Sequence, residues 1–293
     1  GVLTSENFQG DIAEILVYNS ALGDTDRQTI ESYLTQKWIE SAPQPPVSGA
    51  AVWVDASATG SVLNGSSTQA STGQTVGAWN NIAPGHDGAL LQSTDANRPS
   101  FGSHTLNSLP VLYFDGTNDA LTSTGVIANQ GTTSSFFAVI RRTANPDSYR
   151  RVAAFTGPTG NDWGTTGNWC VDNGANGTTN RVERAGANDL GALPSVDTAY
   201  IVEVVFNGST AKTYLTGEYY GEFNSSGNFN INRMTVGTGV DNGSLTNNYF
   251  QGDIAEILVY NSALSDNDRQ TVENYLISKW DLPDVSPPAP TTV

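Results

Sequence analysis

The opening of this chain is written a second time near its end. Gly1-Val2-Leu3-Thr4 and then Phe8-Gln9-Gly10-Asp11-Ile12-Ala13-Glu14-Ile15-Leu16-Val17-Tyr18-Asn19-Ser20-Ala21-Leu22 return, 242 positions later, as Gly243-Ser244-Leu245-Thr246 and Phe250-Gln251-Gly252-Asp253-Ile254-Ala255-Glu256-Ile257-Leu258-Val259-Tyr260-Asn261-Ser262-Ala263-Leu264. The match runs on to Trp38 and Trp280, with nearly three-quarters of the pairs identical. Self-similarity of this length at one offset is the signature of repeated modules. The chain is therefore expected to carry one whole module and the last strand and helix of another. Residues 1–39 read in one of two ways. They are the tail of a preceding repeat cut off in mid-array, or they are an extension that docks on a neighbouring repeat or an identical subunit and joins chains head to tail.

Proline marks the module's limits. Ser41-Ala42-Pro43-Gln44-Pro45-Pro46-Val47-Ser48-Gly49 and Pro283-Asp284-Val285-Ser286-Pro287-Pro288-Ala289-Pro290-Thr291 both follow a helical pattern. Proline at that density favours an extended, semi-rigid spacer over helix or sheet. This organisation assigns 1–39 to a preceding repeat, 40–49 to a linker, 50–282 to the module and 283–293 to a second linker.

Within the module, β-branched and aromatic runs bounded by Gly, Asn, Pro or Asp predict strands. They lie at Ala51 to Asp55, Pro110 to Phe114, Ser135 to Arg142, Arg151 to Phe155, Trp169 to Val171, Tyr200 to Phe206, Asn232 to Thr238 and Asp253 to Tyr260. Lys212 to Tyr219 reads as two strand halves around Thr216-Gly217. One helix is predicted. Ser265 and Asp268 form a capping box, and Val272, Tyr275, Leu276 and Trp280 recur at helical spacing. In the first copy Gly23 stands where Ser265 caps, which predicts a slightly weaker helix.

Composition agrees with an all-β chain. Charged residues are only 14% and Gly, Ser, Thr and Asn are plentiful. Thirteen basic against 29 acidic residues give a formal charge of −16, which repels phosphate backbones and argues against nucleic-acid partners. No apolar run is long enough to span a bilayer, so no membrane insertion is expected. Cys170 is the lone cysteine and reads as a packed small hydrophobe. Sequons at Asn64, Asn176, Asn207, Asn224 and Asn242 lie in turn-rich sequence.

Four stretches carry a family resemblance: Ala51-Val52-Trp53-Val54-Asp55-Ala56-Ser57; Val76-Gly77-Ala78-Trp79-Asn80-Asn81; Leu109-Pro110-Val111-Leu112-Tyr113-Phe114-Asp115-Gly116-Thr117-Asn118-Asp119; and Gly252 to Tyr260 with the Ser265 helix. In order and spacing they resemble the laminin-G-like jelly rolls of the concanavalin A-like lectin/glucanase superfamily. The resemblance implies two curved antiparallel sheets, and a place in repeat-bearing, adhesive or carbohydrate-binding proteins of the cell surface. The chain departs from the family's Ser-Gly-x-Gly turn at Ile82-Ala83-Pro84-Gly85-His86-Asp87.

Catalysis is not expected. The superfamily's glucanases place their carboxylates as Glu-x-Asp-x-x-Glu, a string this chain lacks. Asp253 and Glu256, three apart on a regular strand, should face opposite sides. His86 and His104 read as surface loop residues with no nucleophile elbow nearby. Two candidate sites remain. Asp115, Asn118 and Asp119 cluster hard oxygens in one turn and could hold calcium, a cofactor the resemblance also supports; ordinary turn chemistry explains them equally. Asn161, Asp162, Trp163, Asn168 and Trp169 sit in a Gly-rich loop, offering rings for a sugar face and amides and a carboxylate for its hydroxyls. Trp163 is the ring expected to be exposed, and Trp169 could equally be core. The first reading is an extracellular tandem-repeat adhesive or structural module. The alternatives are a dedicated carbohydrate-binding lectin module and a self-polymerising filament subunit.

Overall fold

The structure is a computed structural model that describes residues 12–34, 37, 44–145, 149–172 and 179–283, the side chains of 124 and 187–191 excepted. The start of the repeat, Trp38, the residues 38–43 and 284–293 of the two Pro-rich segments, and Asn176 lie outside the described residues. The chain divides into two units, Gly1–Pro43 and Gln44–Val293.

The larger unit is built from nineteen described strands and one long helix. In chain order they are β1 (Ala50–Asp55), β2 (Val62–Asn64), β3 (Val76–Asn80), β4 (Ala89–Leu91), β5 (Ser100–Leu106), β6 (Leu109–Asp115), β7 (Leu121–Asn129), β8 (Thr133–Arg142), β9 (Arg151–Thr156) and β10 (Trp169–Asp172). There follow β11 (Thr179–Glu183), β12 (Ala187–Ala192), β13 (Ala199–Asn207), β14 (Thr210–Leu215), β15 (Glu218–Asn224), β16 (Ile231–Val236), β17 (Val240–Asp241), β18 (Ser244–Leu245) and β19 (Gln251–Tyr260). One sheet runs β15-β14-β13-β8-β19-β6-β5, with β1 also paired to β19; the other runs β12-β11-β10-β9-β16-β7-β4-β3-β2. All their pairings are antiparallel, and β17 and β18 form a separate ribbon. The expected two-sheet sandwich with a C-terminal helix is what forms.

Between the sheets lies the main core, rich in aromatic rings. Phe155 and Trp169 stack at 4.1 Å, and Phe136, Phe206 and Phe229 close around them edge-on or tilted. The helix α2 (Asp266–Trp280) covers a second core on the outside of the first sheet, where Val272, Leu276 and Trp280 meet Trp53, Phe137, Val139 and Leu258. Burial on both sides explains why β19 is mostly apolar on both faces rather than alternating. Ile254, Ile257 and Val259 face the inner core, while Ala255, Leu258 and Tyr260 face α2.

That alternation is broken once. The register of β19 against β8 shifts between Ile254 and Glu256, a β-bulge. The extra residue turns Glu256 to the helix side, where it bonds the indoles of Trp53 and Trp280. Asp253 faces that side too, beside Arg141. The two carboxylates therefore share a face, contrary to what a regular strand would give, and both are fully buried.

The two halves expected around Thr216-Gly217 are β14 and β15. Both central residues have positive φ, +45° and +82°, as a tight hairpin turn requires. Ser265 caps α2 as expected, its hydroxyl accepting from the Asp268 amide at 3.2 Å.

In the smaller unit the helix forms and the strand does not. Asp24–Leu34 are helical (α1), with no buried residue. Ile12 to Val17, identical in sequence to Ile254 to Val259, take no strand conformation. A strand's amides and carbonyls need a neighbouring strand, and none of the described strands pairs with this stretch.

Candidate functional site

The Gly-rich loop between β9 and β10 is fixed by its own short polar side chains. Asn168 accepts from the Gly157 amide (3.1 Å) and donates to the Asn161 carbonyl (2.7 Å). The Asn161 side-chain oxygen accepts from the Asn242 amide at 2.7 Å. Asp162 is fully buried; its Oδ2 accepts from the Val240 amide at 2.9 Å, while its own amide donates to the Val240 carbonyl. The loop is thus stitched to the β17–β18 ribbon. At its far end Arg184 donates to the Thr166 and Gly227 carbonyls and lies 4.1 Å over the Phe229 ring. Burial lowers the Arg184 pKa to about 10.

Beneath the loop lies a buried charge cluster. Arg151, at the start of β9, pairs with Asp162 (3.3 Å), Asp172 and Glu183 (2.7 Å). Arg181 holds the other oxygen of Glu183 at 2.9 Å and lies 5.0 Å over the Tyr149 ring. Three carboxylates face two guanidinia, so the cluster is net negative. Burial, reinforced by these carboxylates and opposed by Arg151, holds the Cys170 thiol well above its usual pKa, which suppresses the thiolate. Cys170, Asp172 and Glu183 are close enough together to share a metal, but the Arg151 guanidinium already occupies Asp172 and Glu183.

Over this cluster a cleft of about 330 Å³ opens, lined by Tyr149, Arg151, Trp163, Glu183 and Asn248. Of the five loop residues singled out from sequence, Trp163 alone lines it. Asp162 contributes from below by fixing Arg151. Asn161 and Asn168 tie the loop. Trp169 is fully buried against Phe155 in the main core and presents no face to a ligand. Tyr149, Glu183 and Asn248 were not legible as site residues, because they come from three distant stretches that only the fold gathers.

The candidate calcium turn is self-satisfied. Asp115 Oδ1 accepts from the amides of Thr117 (2.7 Å) and Asn118 (3.4 Å), and Asp119 Oδ2 accepts from the Asp115 amide (2.8 Å). Burial, with some help from Asp115, raises the Asp119 pKa to about 6 despite that bond. Calcium takes six to eight oxygens. Both carboxylates accept from backbone amides, so turn chemistry accounts for their placement.

The histidine expected in a surface loop is instead on β5. His104 Nδ1 lies 2.7 Å from Asp253, whose other oxygen takes Arg141 at 2.6 Å, and its ring packs on Tyr113 at 4.3 Å. The partner, Asp253, is 149 residues away in sequence, which is why the pair could not be read from local pattern.

No protein-family model matches the chain, and no curated protein matches it. Solved structures do match. The CBM40 of the Ruminococcus gnavus IT-sialidase, bound to alpha2,3 sialyllactose, is 15% identical with a TM-score of 0.39, over 48% of this chain and 80% of its own. Domain 4 of AbnA, a GH43 extracellular arabinanase from Geobacillus stearothermophilus, in complex with arabinotriose, is 12% identical with a TM-score of 0.43, over 60% and 80%. The botulinum neurotoxin serotype D binding domain is 10% identical with a TM-score of 0.47, over 80% of this chain and 54% of its own. The likeness is one of β-sandwich architecture.

Proposed function

We propose that the module is a carbohydrate-binding domain of an extracellular or cell-surface protein, non-enzymatic, and that the cleft under Trp163 takes the sugar. The observation that carries this reading is the convergence of two aromatic rings, Tyr149 and Trp163, with the Asn248 amide and a fixed Arg151–Glu183 pair around one cleft. Rings take the apolar face of a pyranose, and rigid planar polar groups take its hydroxyls. Arg151 is held from three sides, so its geometry is set before a ligand arrives, which reduces the ordering that binding must supply. A net-negative cluster on a chain of charge −16 favours a neutral sugar over an acidic one.

The test is a glycan array probed with the whole chain, followed by calorimetric titration of any hit. Trp163→Ala should weaken binding at least tenfold while leaving the melting temperature within a few degrees. A silent array, or a hit that Trp163→Ala binds equally well, would sink the proposal. The duplicated segment supports a second role, as an adhesive or spacing module within a repeat array.

A further inference from the structure

Residues 12–34 expose what their copy buries. Ile12, Ile15 and Val17 are 61%, 70% and 88% exposed, while Ile254, Ile257 and Val259 are completely buried. The copy fills a defined place in the larger unit. β19 lies between β8 on one side and β6 and β1 on the other, and α2 covers it.

The differences between the two copies follow that place. Gln251 to Leu264 are identical to Gln9 to Leu22. From there to Trp280 the copies differ at Ser265, Asn267, Val272, Asn274, Ile277 and Ser278. Four of these are exposed and Ile277 is half-buried; the one buried change, Val272 to Ile30, adds a single methylene. Every side chain that bonds into the place has its identical counterpart: Asp11 for Asp253, Glu14 for Glu256, Arg27 for Arg269, Glu31 for Glu273, Lys37 for Lys279.

The first copy is also already folded in the manner of the second where its polar groups meet. Lys37 Nζ donates to Glu14 Oε2 (3.0 Å) and to the Tyr33 hydroxyl (2.7 Å), as Lys279 Nζ donates to Glu256 Oε2 (2.7 Å) and the Tyr275 hydroxyl (3.1 Å). Arg27 holds Glu31 at 2.6 Å as Arg269 holds Glu273 at 2.7 Å. The second copy is received by Trp53 and Asp55 on β1, Glu203 on β13 and the outer face of β8.

We infer that residues 9–38 are a second closing element, and that they fit the β19–α2 place in another copy of this module. Donor and acceptor surfaces are different, so copies joined this way add head to tail.

The test uses the whole chain. Leu258 is fully buried between β8 and β1, and Leu258→Asp should expel the chain's own closing strand. Residues 9–38 from a second copy should then take its place. Leu258→Asp should keep a cooperative melting transition and sediment as dimers or longer chains whose share grows with concentration. Adding Leu16→Asp, the corresponding position in the donor, should abolish both. The inference is overturned if Leu258→Asp is as unfolded as the double variant, or if it folds but stays monomeric at every concentration. Leu16→Asp alone should melt as the parent does; if it unfolds the module by itself, the two elements are not independent and the inference also falls.

Discussion

Glu256 accepts hydrogen bonds from four side chains at once: the indoles of Trp53 (2.7 Å) and Trp280 (2.8 Å), the Tyr275 hydroxyl (3.0 Å) and Lys279 (2.7 Å). Burial raises its pKa, with Asp55 adding to the effect and Lys279 and the Trp53 hydrogen bond opposing it. Glu256→Ala would strand two buried indole N–H groups and leave Lys279 with Asp55 as its remaining carboxylate, so it should cost about 3–5 kcal/mol by urea unfolding. A second buried acid gives a pH signature. Burial and the neighbouring Glu273 lift Glu203 to about 7, against the pull of Arg269. Because the folded pKa is raised, the unfolded chain releases this proton first as pH rises. The stability tied to it is present below about 4.5 and is lost as pH rises through about 7. Glu203→Gln should therefore gain on the parent in melting temperature between pH 5 and 8; a gap that is constant across that range would contradict the assignment. Little of this was legible in sequence. The carboxylates of Asp253 and Glu256 could be read as close neighbours, but their shared face depends on a one-residue bulge, and their partners Trp53, His104 and Arg141 are brought in by the sheet.

The strands that could be read from sequence are those with strong local pattern. β8, β13 and β19 are long apolar runs because both their faces are covered. β2, β3, β4, β5, β7, β11, β12, β17 and β18 were not legible, because they are short or interrupted by Gly, Ser, Thr and Asn and their pairing comes from neighbours rather than from propensity. The helix was legible to its cap, since Ser265 and Asp268 act within one turn. Ser265→Ala should cost about 1 kcal/mol in denaturant unfolding, and Ser265→Gly, the residue the first copy carries, only a few tenths. A loss of several kcal/mol from Ser265→Gly would mean that the serine does more than cap. The loop between β9 and β10 was half legible. Its Gly-rich composition and Trp163 identified it, but nothing local distinguishes a ring that lines a cleft from Trp169, which the same loop delivers into the core. Trp169→Ala should accordingly act on stability, by about 3–5 kcal/mol, whereas Trp163→Ala should act on ligand.

For the molecule as a whole, the same thirty residues meet two environments, and the environment decides what they become. Where β8, β6 and β1 are at hand, the sequence from Gln251 is a central strand with a capped helix locked over it. In the first copy Ile12 to Val17 take no strand conformation, while α1 forms with Arg27 paired to Glu31 along it. Sequence dictates the faces and the polar latch; the strand itself needs a sheet to join. Limited digestion by chymotrypsin at low protein concentration reads this difference directly. Leu16, Tyr18 and Leu22 are 40%, 48% and 38% exposed in irregular backbone, while Leu258 and Tyr260, their counterparts or near neighbours, are fully buried. Cleavage after Leu16, Tyr18 or Leu22 should come first and leave a resistant fragment that contains residues 44–283, identified by intact mass. First cleavage inside 44–283 would instead mean that the exposed faces of the first copy are covered even in dilute solution.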